Sequence, residues 1–379
     1  MKLAQLSLVL LLANWVSASI PNIPQQPLLS ASTTSLLALH KDLVEIESIT
    51  GNEADVAAYL VTYLQKQNFT VETQEVVPES KGQKARHNVL AYAGKQRKTR
   101  VLISSHIDTV PPYWPYERKG DEIWGRGSVD AKGSVATQII AVEQLLEAGK
   151  LEEGDIALLF VVGEEVDGVG MKKFNELGLS WETVIFGEPT ELKLASGHKG
   201  IMGVEIHAKG KAGHSGYPKL GKSANAMIIR ALAALLDAKL PYSEKYGNST
   251  LNIGTIQGGV AANVIPEDAI SKIAIRIADG TPEEVKKICS DAIKSTGEEL
   301  DINIAYGYGP IYIDSDVEGF DTIVCNYGTD IPNLEGHHKR YLYGAGSILM
   351  AHSDHEHLKI SDLETAVEGY KKLISHALK

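Results

Sequence analysis

The fold of this chain is decided by the stretch Leu158-Leu159-Phe160-Val161-Val162-Gly163-Glu164-Glu165. An apolar run ends abruptly in a glycine and two adjacent acids. Such a run suits a strand buried on both faces, as in parallel sheets. Open α/β sheets place ligands at the carboxyl ends of these strands. Two carboxylates side by side there repel each other and lose hydration unless protons or cations compensate. A solvated strand end is the ordinary fate of a Glu-Glu pair, so the rest of the chain must supply the cation.

Working outward, strands and helices alternate around that run. Strands are predicted at Asn88 to Tyr92, Arg100 to Ser104, Ile156 to Val162 and Thr183 to Phe186, with helices at Val135 to Glu147 and near Met171 to Leu177. This alternation predicts an α/β domain with a mainly parallel sheet flanked by helices. Between Gly197 and Tyr308 the pattern changes to β-α-β-β-α-β, a ferredoxin-like α+β lobe inserted into the α/β domain. Capping boxes are predicted at Thr281-Pro282-Glu283-Glu284 and at Ser361-Asp362-Leu363-Glu364. The expected organisation is a signal segment over 1–18, the α/β domain over 35–196 and 311–379, and the lobe over 197–310.

Lys2, the apolar run Leu6 to Leu12 and the small residues of Val16-Ser17-Ala18 have the form of a secretory signal, too short for a membrane anchor. A secreted, extracellular protein is therefore expected, with N-glycosylation sequons at Asn68 and Asn248. Hydrophobic residues at 44% and charged residues at 22% fit a globular protein with real cores. The net charge of −11 argues against nucleic acid or an anionic membrane as partner. Cys289 and Cys325 are too few for a thiolate metal cage, and whether they pair stays open. Any metal must then be held by His, Asp and Glu.

Four further stretches carry chemistry. Ser104-Ser105-His106-Ile107-Asp108 runs a strand into a His and an Asp two residues apart, on one side of an extended chain. Gly125-Arg126-Gly127-Ser128-Val129-Asp130 places a carboxylate in a glycine-rich loop before a helix, where its two oxygens could serve two metals. Phe186-Gly187-Glu188 ends another apolar strand in an acid, and His352-Ser353-Asp354-His355-Glu356-His357 gathers three histidines. Singly, each has an ordinary explanation as polar surface or a loop contact. Jointly, His106, Glu165 and Glu188 fall at strand ends that converge on one side of a parallel sheet. Two histidines and three carboxylates suit a pair of zinc ions. Phosphate-loop, dinucleotide and nucleophile-elbow spacings are all absent.

From about Leu36 to the C-terminus, five motifs in order resemble the dizinc metallopeptidase family twenty, which includes acetylornithine deacetylase, succinyl-diaminopimelate desuccinylase and bacterial glutamate carboxypeptidase. The resemblance implies two zinc ions per subunit, with cobalt as a possible substitute. His106 and Glu188 would bind one ion, Glu165 and His352 the other, and Asp130 would bridge them. It gives Glu164 the role of general base and Asp108 that of orienting His106. It also makes the lobe a dimerisation or lid domain. There Gly213-His214-Ser215 would polarise the scissile carbonyl, often from the neighbouring subunit, Asn263 would contact substrate, and Arg276 would bind its α-carboxylate. Relatives usually carry His-Pro-Asp-Glu at the last ligand. The spacing to Glu356 selects His352 here, with His355 and His357 left open.

The expected function is a secreted zinc carboxypeptidase, which cleaves an amide next to a free carboxylate. An N-acyl-amino-acid deacylase is the alternative, because that reaction breaks the same kind of bond. An inactive dimeric binding protein on the same scaffold is the remote one. The expected partners are a small peptide or N-acylated amino acid and a second copy of the chain.

Overall fold

The computed structural model describes residues 30–76 and 85–379, so the signal segment expected at 1–18 lies outside the described residues. A six-stranded sheet organises the α/β domain, in the order Phe69–Val76, Arg86–Ala93, Ile156–Val161, Val101–His106, Thr183–Gly187 and Lys339–Tyr343. The last four run parallel, and the first two add antiparallel edge strands. All six residues of Ile156–Val161 are buried. Leu158 and Phe160 join the core on one face, and Leu159 and Val161 join the core on the other. This two-sided burial is what the apolar run predicted.

Helices Ala31–Glu45, Ala54–Lys66, Lys132–Glu147 and Ile360–Ala377 contribute to the larger core. The C-terminal strand Lys339–Tyr343 and the final helix thus return the chain to the first domain after the lobe. The lobe's sheet runs Thr250–Gly258, Asp268–Ile277, Gly200–Lys209, Asp301–Tyr308, antiparallel throughout. Helices Ala224–Leu236 and Pro282–Lys294 supply core residues to it, which gives the ferredoxin-like arrangement. None of the described helices is long and apolar enough to cross a membrane.

Local expectations met different fates. Thr281 and Glu284 form their reciprocal capping box, with Pro282 opening the helix. The box expected at Ser361 does not form. That helix already begins at Ile360, so Ser361 lies one residue inside, and Glu364 accepts from Thr33 of the first helix instead. Tertiary contact outcompetes the local cap. The helix near Met171 starts at Val169 and ends at Phe174, with a 3-10 turn over Asn175–Leu177.

Both cysteines are buried and free. Cys289 belongs to the lobe's core and Cys325 to the sheet domain's second core, so pairing them would require dismantling both. Titration of unreduced, unfolded protein should give two thiols per chain. A count near zero would mean that they bridge.

Candidate metal centre and active site

The sheet order explains why the acids converge. Ile156–Val161, Val101–His106 and Thr183–Gly187 are adjacent and parallel, so Glu164-Glu165, His106 and Glu188 emerge at one edge. Gly163 has φ +76°, a left-handed turn that glycine adopts without steric cost, and it takes the chain out of the strand just before the two glutamates. The turn is pinned by Asp108, whose carboxylate accepts the amides of Glu164 at 3.1 Å and Glu165 at 3.2 Å. Thr50 donates its hydroxyl to the same carboxylate at 2.7 Å.

Asp130 lies at the middle of the cluster. Its Oδ1 is 3.1 Å from His106 Nε2, and its Oδ2 is 3.3 Å from His352 Nε2. Glu188 Oε1 lies 3.7 Å from His106 Nε2 on one side, and Glu165 Oε2 lies 3.0 Å from His352 Nε2 on the other. Two ligand triads result, His106–Asp130–Glu188 and Asp130–Glu165–His352, each with donor atoms within 4.8 Å of one another. They share one residue, which offers each triad a different oxygen. The five ligands named from the resemblance are therefore together, and Glu164 stands beside them in neither triad.

The electrostatics call for cations. Among the described residues, no lysine or arginine pairs with Asp130, Glu164, Glu165 or Glu188. Burial pushes Glu188 and Glu164 well above the usual carboxyl range, and neighbouring carboxylates add to it. Glu165 is raised in the same way, by burial and by Asp130. Hydrogen bonds to Asp130 and Glu165 lift His352 to about 10. His106 also lies well above its ordinary range: burial opposes this, but Asp108 and Asp130 outweigh it. Divalent ions would balance this buried negative charge. Nitrogen and oxygen donors in this number fit zinc.

Two details add to what was expected. The carboxylate of Asp108 was expected to orient His106. His106 Nδ1 lies 3.0 Å from the Asp108 backbone oxygen and 3.5 Å from its carboxylate, so both groups of Asp108 face the ring. The same carboxylate also holds the Glu164-Glu165 turn. Of the three loop histidines, His352 reaches the cluster. His355 turns to Asp354 at 2.7 Å, and His357 stacks on Trp124 with ring centroids 4.2 Å apart.

The lobe candidates form a separate group. His214 is exposed, on a two-residue strand that pairs with Val264–Ile265, and Asn263 accepts the amide of Ser215 at 3.0 Å. The ribbon joins His214 to Asn263, and neither has a hydrogen bond to the metal-centre residues among those described. Arg276 lies at the end of the strand Asp268–Ile277, with a buried Nη1 that lacks a hydrogen-bond partner among the described residues. Sequence reasoning missed Asp330, a buried acid raised to about 6 by burial and by charges that include Asp108. It also missed Tyr308, raised by burial and by Glu164. Neither lies in a recognisable motif; only the folded chain brings them to the site.

Comparison with known proteins decides the family. A peptidase M20 domain-containing protein of Schizosaccharomyces pombe is 47% identical over 95% of this chain and 89% of its own length. This chain belongs to the M20 peptidase family. A probable carboxypeptidase of Aspergillus clavatus is 46% identical, over 92% of this chain and 90% of its own length. The family model described as the peptidase dimerisation domain matches residues 196–301 of this M20 peptidase, and that of peptidase family M28 matches residues 88–184. Among solved structures, an M20 family metallo-carboxypeptidase from Sulfolobus solfataricus superposes with TM-score 0.72 at 18% identity, covering 90% of this chain and 99% of that one. A dinuclear metal-binding M20 peptidase of Bacillus subtilis gives 0.65 at 17% identity, covering 92% and 99%. The protein is thus an M20 metallopeptidase, with a sheet domain and an inserted dimerisation domain.

Proposed function

We propose that this M20 peptidase is a secreted, dizinc carboxypeptidase that hydrolyses the amide bond next to a free α-carboxylate. The observation that carries the reading is Asp130 shared between two ligand triads, with Glu164 beside both and a member of neither. His106, Asp130 and Glu188 would hold one ion, and Asp130, Glu165 and His352 the other. The ions, when bound, would lower the pKa of a water to about 7 and polarise the substrate carbonyl. Glu164 takes the water's proton and later passes it to the leaving amine. Asp108 holds the Glu164-Glu165 turn through two amides, which keeps the base aimed at that water.

Arg276 and His214 supply the substrate side. The unpaired Nη1 of Arg276 suits a substrate carboxylate, since a buried guanidinium nitrogen without an acceptor is costly. His214 is exposed and outside the cluster, as expected of a group that acts across a homodimer on the partner's carbonyl. Asn263, on the same ribbon, would contact that substrate. The matching dimerisation domain supports such a dimer. Secretion rests on the signal-like residues 1–18, and the exposure of Asn68 and Asn248 leaves both sequons accessible to glycosylation.

Chelation should abolish hydrolysis, and zinc or cobalt should restore it. Activity that survives exhaustive chelation excludes the mechanism. A parallel panel of dipeptides and N-acetyl amino acids should show preference for dipeptides. Faster turnover of the N-acetyl series would instead make the enzyme a deacylase.

A further inference from the structure

Glu356 enters the sequence argument only through its spacing from His352. In the structure it is 1% exposed and paired with Arg126, 2% exposed, through a contact of 2.6 Å. Neither residue belongs to a ligand triad. Their other contacts are reciprocal. Glu356, from the His352 loop, accepts the amides of Val129 at 3.0 Å and Asp130 at 3.2 Å with its second oxygen. Arg126, from the Asp130 loop, donates Nη2 to the Ser353 carbonyl at 3.2 Å, one residue past His352. Arg126 is itself immobilised. Its Nε reaches the Pro112 carbonyl at 3.2 Å, and its guanidinium lies 4.8 Å from the Trp114 ring centroid.

We propose that Arg126 and Glu356 are a positioning pair that locks the loop carrying Asp130 to the loop carrying His352, and so sets the geometry of the shared metal centre. The inference rests on the dizinc reading above. His352 needs such a lock. Its side chain is 51% exposed, its backbone has φ +60°, and its side-chain partners are the ligand carboxylates Glu165 and Asp130. Nothing in that set fixes its loop before an ion arrives. Arg126 does so through the adjacent carbonyl. A buried ion pair is a poor device for stability alone, because desolvation offsets much of its attraction. Holding two ligand loops in register is a task that the forked guanidinium performs well.

The two partners act differently, and this gives the test. Glu356 grips the backbone of Asp130, which serves both ions. Arg126 grips the His352 loop, which serves one. Metal-free protein would be titrated with cobalt, following the d–d absorbance to obtain two dissociation constants. Thermal unfolding of the metal-free variants would show that they fold.

Arg126→Lys keeps the charge but loses the fork. It should weaken one ion about 10–100-fold and leave the other nearly unchanged. Glu356→Gln preserves shape. Its amide must turn its NH₂ either to Arg126 or to the two backbone donors, so both ions should weaken on that scale. Unchanged affinities in both folded variants overturn the proposal, as does equal weakening of both ions by Arg126→Lys. Wild-type protein that binds fewer than two cobalt ions overturns the dizinc reading and the proposal with it. That outcome is distinct from a wild type and variants that all bind two ions alike.

Discussion

Glu164→Gln should yield a protein that still binds two metal ions but turns over its substrate about 10²–10⁴-fold more slowly. The amide matches the carboxyl in size, so packing is preserved. The main-chain amide of residue 164 still bonds to Asp108, which keeps the Gly163 turn in place. Glu164 is a member of neither ligand triad, so the metal sites lose no donor. What disappears is a group able to accept a proton. Burial, with help from Asp330, Glu165 and Asp108, holds the Glu164 carboxyl well above its ordinary range. A carboxylate whose affinity for protons is raised is better matched to taking one from water. Metal analysis beside steady-state kinetics checks the claim. If zinc departs with activity, Glu164 is a ligand and the division of labour between the two glutamates is wrong.

That division shows how far the sequence reaches. The strand-end ligands were legible jointly, because each alone reads as solvated surface but all three end strands of one parallel sheet. Sheet order then brought His106, Glu165 and Glu188 to one edge. The spacing to Glu356 points to His352, and loop conformation explains why His355 and His357 stay out of the cluster. Asp108 illustrates a different gap. The spacing of His106 and Asp108 suggests a carboxylate facing the imidazole, where it lies 3.5 Å away, but not that it also binds amides 56 and 57 residues away. No local pattern encodes such a partner. The failed cap at Ser361 has the same origin, because a helix that packs onto another can start one residue early and use Glu364 elsewhere. Long-range contacts account for the Asp108 amide bonds and for the failed cap, and they also create the Arg126–Glu356 tie.

Asp130→Ala should remove both ions and lower turnover by about 10³–10⁴-fold or more, the rate equivalent of several kcal/mol of lost charge stabilisation. The other ligands each belong to a single triad, so His352→Ala should cost one ion and Asp130→Ala two. After Asp130→Ala, His106 and Glu188 form one pair and Glu165 and His352 the other. Two protein donors are fewer than zinc sites ordinarily use. Asp130→Asn separates the bridge from mere proximity. Asparagine offers one carbonyl oxygen where aspartate offers two, and in the structure those two face different histidines. The asparagine variant should therefore retain at most one ion, weakly, and remain as inactive as the alanine variant. Two ions bound by Asp130→Asn, measured on dialysed protein, would show that the metals do not depend on a shared carboxylate. The centre would then be two independent sites, and Glu164 would serve whichever ion activates the water.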